Sequence, residues 1–123
     1  MMEAGIFHED DRVELIEGEV LTMTPIGIRH IACVDRISQL MNKTIQQPVI
    51  VRVQSPIRLN KYSEPQPDII LLKPRADFYA SRHAGPGDVL LVVEVADTSL
   101  DHDRKDKIPL YARAGLPEVW LVD

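Results

Sequence analysis

The sequence predicts a mixed α/β domain built on a central sheet. Three observations carry that prediction. Val89-Leu90-Leu91-Val92-Val93-Glu94-Val95 is a nearly unbroken apolar run, the mark of a strand covered on both faces. Residues 27–47 instead carry apolar side chains at helical spacing. The order of elements, a β-hairpin, a helix, three strands, a helix and a strand, mixes both types through the whole chain.

Residues 1–11 hold no clear pattern and are expected to form a flexible lead-in, with a single domain over 12–123. Arg12-Val13-Glu14-Leu15-Ile16-Glu17-Gly18-Glu19-Val20-Leu21-Thr22-Met23 alternates loosely about Glu17-Gly18 and predicts a hairpin, because Gly accepts the positive φ that tight turns demand. Thr24-Pro25 breaks the pattern. Ile28, Ile31, Val34, Ile37, Leu40, Met41 and Ile45 then form one apolar stripe, with His30 beside it in the first turn and Pro48 ending the helix. Val49-Ile50-Val51-Arg52-Val53 predicts a strand carried past Pro56 into Ile57-Arg58-Leu59. Pro67 opens the next strand, Asp68-Ile69-Ile70-Leu71-Leu72, at a position where proline is tolerated. Residues 73–88, with Pro74, Gly85, Pro86 and Gly87, read as a loop with room for a short helix over 76–82. After the strand containing Glu94, a polar stretch from Thr98 to Lys107 feeds a helix ending at Ala114-Gly115. Pro109 either begins the regular part of that helix or kinks it. Val119-Trp120-Leu121-Val122 predicts the last strand.

At 123 residues, with 45% apolar and 27% charged side chains, the chain is a single globular unit that folds without staples. A single cysteine, Cys33, excludes an internal disulfide framework and a Cys-rich zinc site. The longest apolar run falls far short of the roughly 20 residues of a membrane span, and the first residues lack the features of a signal peptide, so a cytoplasmic location is expected. The net charge of −5 argues against a protein that holds nucleic acid through bulk positive charge. It leaves room for an enzyme that gathers carboxylates around a metal.

Glu94 is the most unusual residue. A carboxylate in so apolar a strand costs several kcal/mol to bury unless something neutralises it. It lies at an exposed strand end, pairs with a basic residue, or holds a cation. Asp68 opens its own apolar strand; if the two strands are neighbours, the acids meet at a sheet end. Two carboxylates within about 5 Å repel, and one takes up a proton unless a divalent cation bridges them. Oxygen donors of this kind favour Mg²⁺ or Mn²⁺, completed by water and substrate phosphate. The basic segment Asp101-His102-Asp103-Arg104-Lys105-Asp106-Lys107 can fold back over the same strand end. A lysine there steadies charge on a phosphate or holds an attacking water. For each of these residues a plain structural role is the competing reading.

Arg12-Val13-Glu14-Leu15-Ile16-Glu17-Gly18-Glu19, Pro25, His30, Gln66-Pro67-Asp68, Val92-Val93-Glu94-Val95, Asp103, Lys107, Tyr111-Ala112-Arg113-Ala114-Gly115 and Trp120-Leu121-Val122-Asp123 together resemble the Uma-two family of endonucleases. That family belongs to the PD-(D/E)XK superfamily, and the likeness covers about residues 12–123. It implies a restriction-endonuclease-like fold, a mixed central sheet flanked by helices and preceded by the hairpin. It also implies that Pro67-Asp68 is the PD and Glu94 the (D/E), both metal ligands, with the Val95 carbonyl a third. The superfamily's lysine stands two residues after the acid, where this chain has Ala96; Lys107 on the following helix matches the family's substitute, with Lys105 as the fallback. Glu14, Glu17 and His30 match supporting positions. Relatives continue past the final strand, so the resemblance implies either self-association near Val119–Val122 or a truncated version of a larger protein.

The expected function is Mg²⁺- or Mn²⁺-dependent hydrolysis of DNA phosphodiester bonds by Asp68, Glu94 and Lys107. Arg52, Arg58, Lys61, Arg75 and Arg82 are candidate DNA contacts, and a homodimer or higher homo-oligomer is expected. The rival is a catalytically inactive, oligomeric binding or regulatory domain that keeps the fold, favoured by the displaced lysine and the acidic balance. A histidine-based site at His30, His83 or His102 lacks any ligand spacing.

Overall fold

A single four-stranded sheet organises the chain, and its middle strands are apolar on both faces because a helix covers each. The computed structural model describes the backbone of residues 13–22, 27–96 and 101–122, and the side chains of 13–20, 27–96 and 107–122. The expected lead-in, Thr24-Pro25, the start of the polar stretch at Thr98, and the side chains of His102, Asp103 and Lys105 lie outside the described residues. In chain order the elements are β1 (Val13–Ile16), β2 (Glu19–Thr22), α1 (Ile28–Thr44), β3 (Ile50–Val53), β4 (Ile69–Leu72), β5 (Val89–Val95), α2 (Asp101–Arg113) and β6 (Val119–Val122), with one 3₁₀ turn at Pro86–Asp88. The expected α/β architecture, a mixed sheet with helices and an N-terminal hairpin, is the observed one.

The strands run in the order β3-β4-β5-β6. The first three are antiparallel and β6 is parallel to β5, so α2 serves as the crossover that a parallel pair requires. Ile69 and Leu71 of β4, with Leu91, Val93 and Val95 of β5, meet Val34 and Met41 of α1. Ile70, Leu72 and Val92 face the other way, onto Ile57, Leu110 and Tyr111. Each middle strand therefore buries both of its alternating faces, which is why neither shows polar alternation.

Glu17 and Gly18 both take positive φ, 49° and 85°, the two-residue turn whose twist matches a hairpin. The hairpin is not part of the main sheet. It docks on a returning arm through Glu64 N–H to the Leu15 carbonyl at 2.6 Å, Gly18 N–H to the Tyr62 carbonyl at 2.7 Å and Glu17 N–H to Ser63 Oγ at 3.0 Å.

Four expectations need correction. The strand at Val49–Val53 does not continue through residues 57–59. Gln54 turns the chain with φ +51°, and the N–H groups of Ile57 and Leu59 go to the carbonyls of Pro65 and Ser63, closing that arm on itself. No helix forms over 76–82, because Asp77 accepts from the Tyr79 and Ser81 N–H groups and competes with helical pairing. The second helix begins at Asp101 and passes through Pro109, whose missing N–H forgoes one bond to the preceding turn. Its end at Gly115, φ +81°, is the anticipated left-handed stop. Finally, the apolar stripe of α1 is narrower than its spacing suggested. At about 100° per residue, Ile28 and Leu40 sit roughly 120° to either side of Val34. They are 86% and 60% exposed, whereas His30 lies on the buried side.

The loop after β4 is held by a bidentate pair: Arg82 Nη1 and Nη2 donate to Asp88 Oδ2 and Oδ1 at 2.7 and 3.1 Å. This pair, aided by the Gly85 N–H, lowers the Asp88 carboxyl to about 2 against the opposing effect of burial. A depressed acid stabilises the fold above its unfolded value, near pH 4, and loses that contribution as pH falls toward 2. The melting-temperature advantage of the parent over Asp88→Asn should accordingly be constant near neutrality and disappear between pH 4 and 2.

Core and surface separate cleanly by mutation. Ile70→Ala should cost about 3 kcal/mol in urea unfolding, and Leu40→Ala less than about 0.5 kcal/mol despite its place in the apolar spacing.

Candidate active site

The register of β4 against β5 pairs Ile69 with Val93, so Asp68 and Glu94 face each other one step beyond. Both carboxylates are about 1% exposed. They sense each other: the charge of Asp68 adds to the burial that pushes Glu94 above the usual carboxylate range. Asp68 Oδ2 accepts the Val95 N–H at 2.7 Å, and Oδ1 lies 2.9 Å from His30 Nε2 at the first turn of α1. Among the described residues the buried His30 Nδ1 has no hydrogen-bond partner.

Lys107 comes from α2. Its Nζ lies 2.8 Å from Glu94 Oε2 and 2.6 Å from Glu14 Oε1. Burial pulls the ammonium's pKa down, yet the charges and hydrogen bonds of Glu94 and Glu14 raise it above the ordinary lysine value. Lys107 therefore stays charged while 6% exposed. One helical turn later, fully buried Tyr111 donates its phenol to Glu94 Oε2 at 2.6 Å. Burial, then the neighbouring Glu94 charge, raises the phenol well above its normal range, so it remains a donor. Among the described residues both contacts to Glu94 fall on Oε2, and Oε1 receives none.

Glu14 arrives from the docked hairpin. Gln66 fixes it twice, with its backbone N–H on Glu14 Oε1 at 2.8 Å and its side-chain amide on the Val13 carbonyl at 2.9 Å. Among the described residues, Glu14 and Glu94 share the Lys107 ammonium, while Asp68 is held by His30 and the Val95 N–H.

Among the described residues no three His, Cys, Asp or Glu side chains are grouped to hold a metal by themselves. Asp68 and Glu94 supply two anionic donors. The Val95 N–H points to Asp68, and in an extended strand a residue's carbonyl lies on the same edge as its N–H, so the Val95 carbonyl faces the same side. Two carboxylates and a carbonyl, completed by water, suit Mg²⁺, which keeps several waters.

Of the residues singled out from sequence, Asp68, Glu94, Val95, Lys107, Glu14 and His30 converge. Glu17 does not: it is exposed, pairs with Arg113 at 2.6 Å, and lines a separate cleft of about 480 Å³ with Tyr62, Ser63 and Leu110. The side chain of Lys105 is outside the described set. Gln66 and Tyr111 stood in matched motifs without a role. The spacing of Tyr111, four residues after Lys107, was the available signal that both share one helix face.

Comparison with known families decides the kinship. The profile of the Uma2 family, described as "Putative restriction endonuclease", matches residues 2–123. The chain belongs to the Uma2 family. No curated protein matches it. Membership supports a nuclease in general terms. No helix among the described residues is long and apolar enough to cross a membrane.

Removing one partner of a buried charge set exposes its cost. Lys107→Met should destabilise this Uma2 chain by about 3–5 kcal/mol at pH 7 without divalent metal. Adding Glu94→Gln should recover part of that loss in a double-mutant cycle read by urea unfolding.

Proposed function

We propose that the chain is a divalent-metal-dependent endonuclease that hydrolyses DNA phosphodiester bonds. The observation that carries this reading is the convergence of Asp68, Glu94 and Lys107 where β4 begins and β5 ends. Asp68, Glu94 and the Val95 carbonyl would hold Mg²⁺ or Mn²⁺, which when bound supplies a Lewis acid for the phosphate and a more acidic water.

The protein's own groups have separable tasks. Lys107 opposes the burial that favours the neutral form of Glu94, and its ammonium offers a positive charge to a phosphate oxygen or an attacking water. Tyr111 and Lys107 together hold Glu94 by Oε2 and so orient Oε1. His30 and the Val95 N–H fix the Asp68 carboxylate from two sides, restricting its rotation. Glu14 holds Lys107 against Glu94. In this arrangement a lysine on α2 reaches the strand acid, the task that the superfamily gives to the position of Ala96.

A second reading has one observation in its favour. The cluster is sealed, with Glu14, His30, Asp68, Glu94 and Lys107 all at most 8% exposed, as suits an inactive binding or regulatory domain that keeps the ion network for structure.

Cleavage and metal binding separate the two. Asp68→Asn and Glu94→Gln should each lower Mg²⁺-dependent nicking of plasmid DNA at least about 100-fold, with metal-free stability unchanged or higher for Glu94→Gln. Mn²⁺ should raise the melting temperature of the parent but not of Asp68→Asn. Equal cleavage by parent and variants would overturn the assignment, and a parent whose melting temperature ignores Mn²⁺ favours the inactive domain.

A further inference from the structure

At the far end of β4 from Asp68, three arginines gather around one tyrosine. The guanidinium carbons of Arg52, Arg75 and Arg82 lie 5.5, 5.9 and 5.5 Å from the centroid of the Tyr79 ring. Tyr79 is buried, and its hydroxyl donates to the Lys73 carbonyl at 2.6 Å. Asp77 ties the loop together by accepting from the Tyr79 and Ser81 N–H groups, the Ser81 hydroxyl and Arg75. Arg52 reaches over from β3 to donate to the Phe78 carbonyl at 2.9 Å.

This scaffold holds Phe78 outward. Phe78 and Tyr79 both adopt left-handed backbone, φ 53° and 61°, a conformation that bulky residues avoid and that persists only where surroundings enforce it. The enforced result is a phenyl ring 68% exposed to solvent. Arg52, Arg75 and Arg82 around the Tyr79 ring outnumber Asp77 and Asp88, which pair with Arg75 and Arg82, leaving a local surplus of one positive charge in a chain of net charge −5. The charge-based candidates thus divide. Arg58, beside Glu64, and Lys61, over Tyr62, lie outside this group.

We propose that the 75–82 loop with Arg52 is a DNA-contacting surface, its guanidinium groups meeting phosphates and Phe78 packing on a base or sugar. The proposal deepens the nuclease reading and rests on it for the substrate class. A guanidinium matches phosphate geometry, and an exposed aromatic side chain among cations gives a stacking partner that tolerates any base. The four residues of β4 between this loop and the carboxylates span about 13 Å, less than the roughly 34 Å of one duplex turn.

The test is fluorescence anisotropy with a labelled duplex of about two helical turns, in EDTA so that binding is read apart from cleavage. The parent is compared with Phe78→Asn, which removes the ring but tolerates left-handed backbone, with Phe78→Ala, and with Arg52→Gln. Circular dichroism melts identify which variants are folded. Each folded variant should bind about tenfold more weakly, and Arg52→Gln should also lower the salt slope by about one; Leu40→Ala should match the parent. Unchanged affinity in Phe78→Asn and Arg52→Gln overturns the proposal, as does a parent that ignores DNA but binds anionic vesicles. Plasmid cleavage in Mg²⁺, run alongside, separates the two claims. Asp68-dependent cleavage with affinity untouched by the loop variants defeats the surface alone; loop-dependent binding without cleavage defeats the nuclease alone.

Discussion

A buried ammonium holds this structure and its candidate site together. Lys107 joins three parts of the fold at one point: the hairpin through Glu14, the central sheet through Glu94, and α2, which carries it. Each ion taken out of water costs several kcal/mol, a cost offset here by Glu14 and Glu94 both lying within ion-pair distance of Lys107. Packing alone would leave the hairpin loosely attached, since it pairs with none of the main-sheet strands. The ion cluster and the Glu64 and Gln66 hydrogen bonds give it one fixed position.

The rest of the site follows from sheet geometry. Antiparallel pairing of β4 and β5 sets Asp68 opposite Glu94, and the parallel crossover to β6 lays α2 over that end. Tyr111 belongs to the apolar core on its ring and to the site on its oxygen, so the same side chain seals the sheet and orients the acid. His30 does the equivalent from the opposite layer, on the buried side of α1.

Much of this was legible in the residues. The apolar run of β5 occupies the boundaries read from its composition, and Glu17-Gly18 sits at the tip of the hairpin as its turn chemistry implied. Glu94 stood out because one acid in an apolar strand demands compensation. The identity of the compensating groups was less accessible, because Glu14 and Lys107 meet through a docking event that no local pattern encodes. Tyr111 reads in sequence as an ordinary core residue, its hydroxyl counting only once Glu94 is beside it. Local competition hid other features: Asp77 side-chain bonds replaced a plausible helix, and Gln54 turned what looked like a longer strand.

The 93 positions between Glu14 and Lys107 also set a temporal order. During synthesis the hairpin leaves the ribosome before α2, and Glu14 lacks the Lys107 ammonium until α2 emerges 93 positions later. Translation at about 5–20 residues per second makes that delay several seconds. A nascent fragment stopping short of α2 would have two acids and no ammonium, so the ion network is all-or-nothing with respect to how much of the polypeptide has been made.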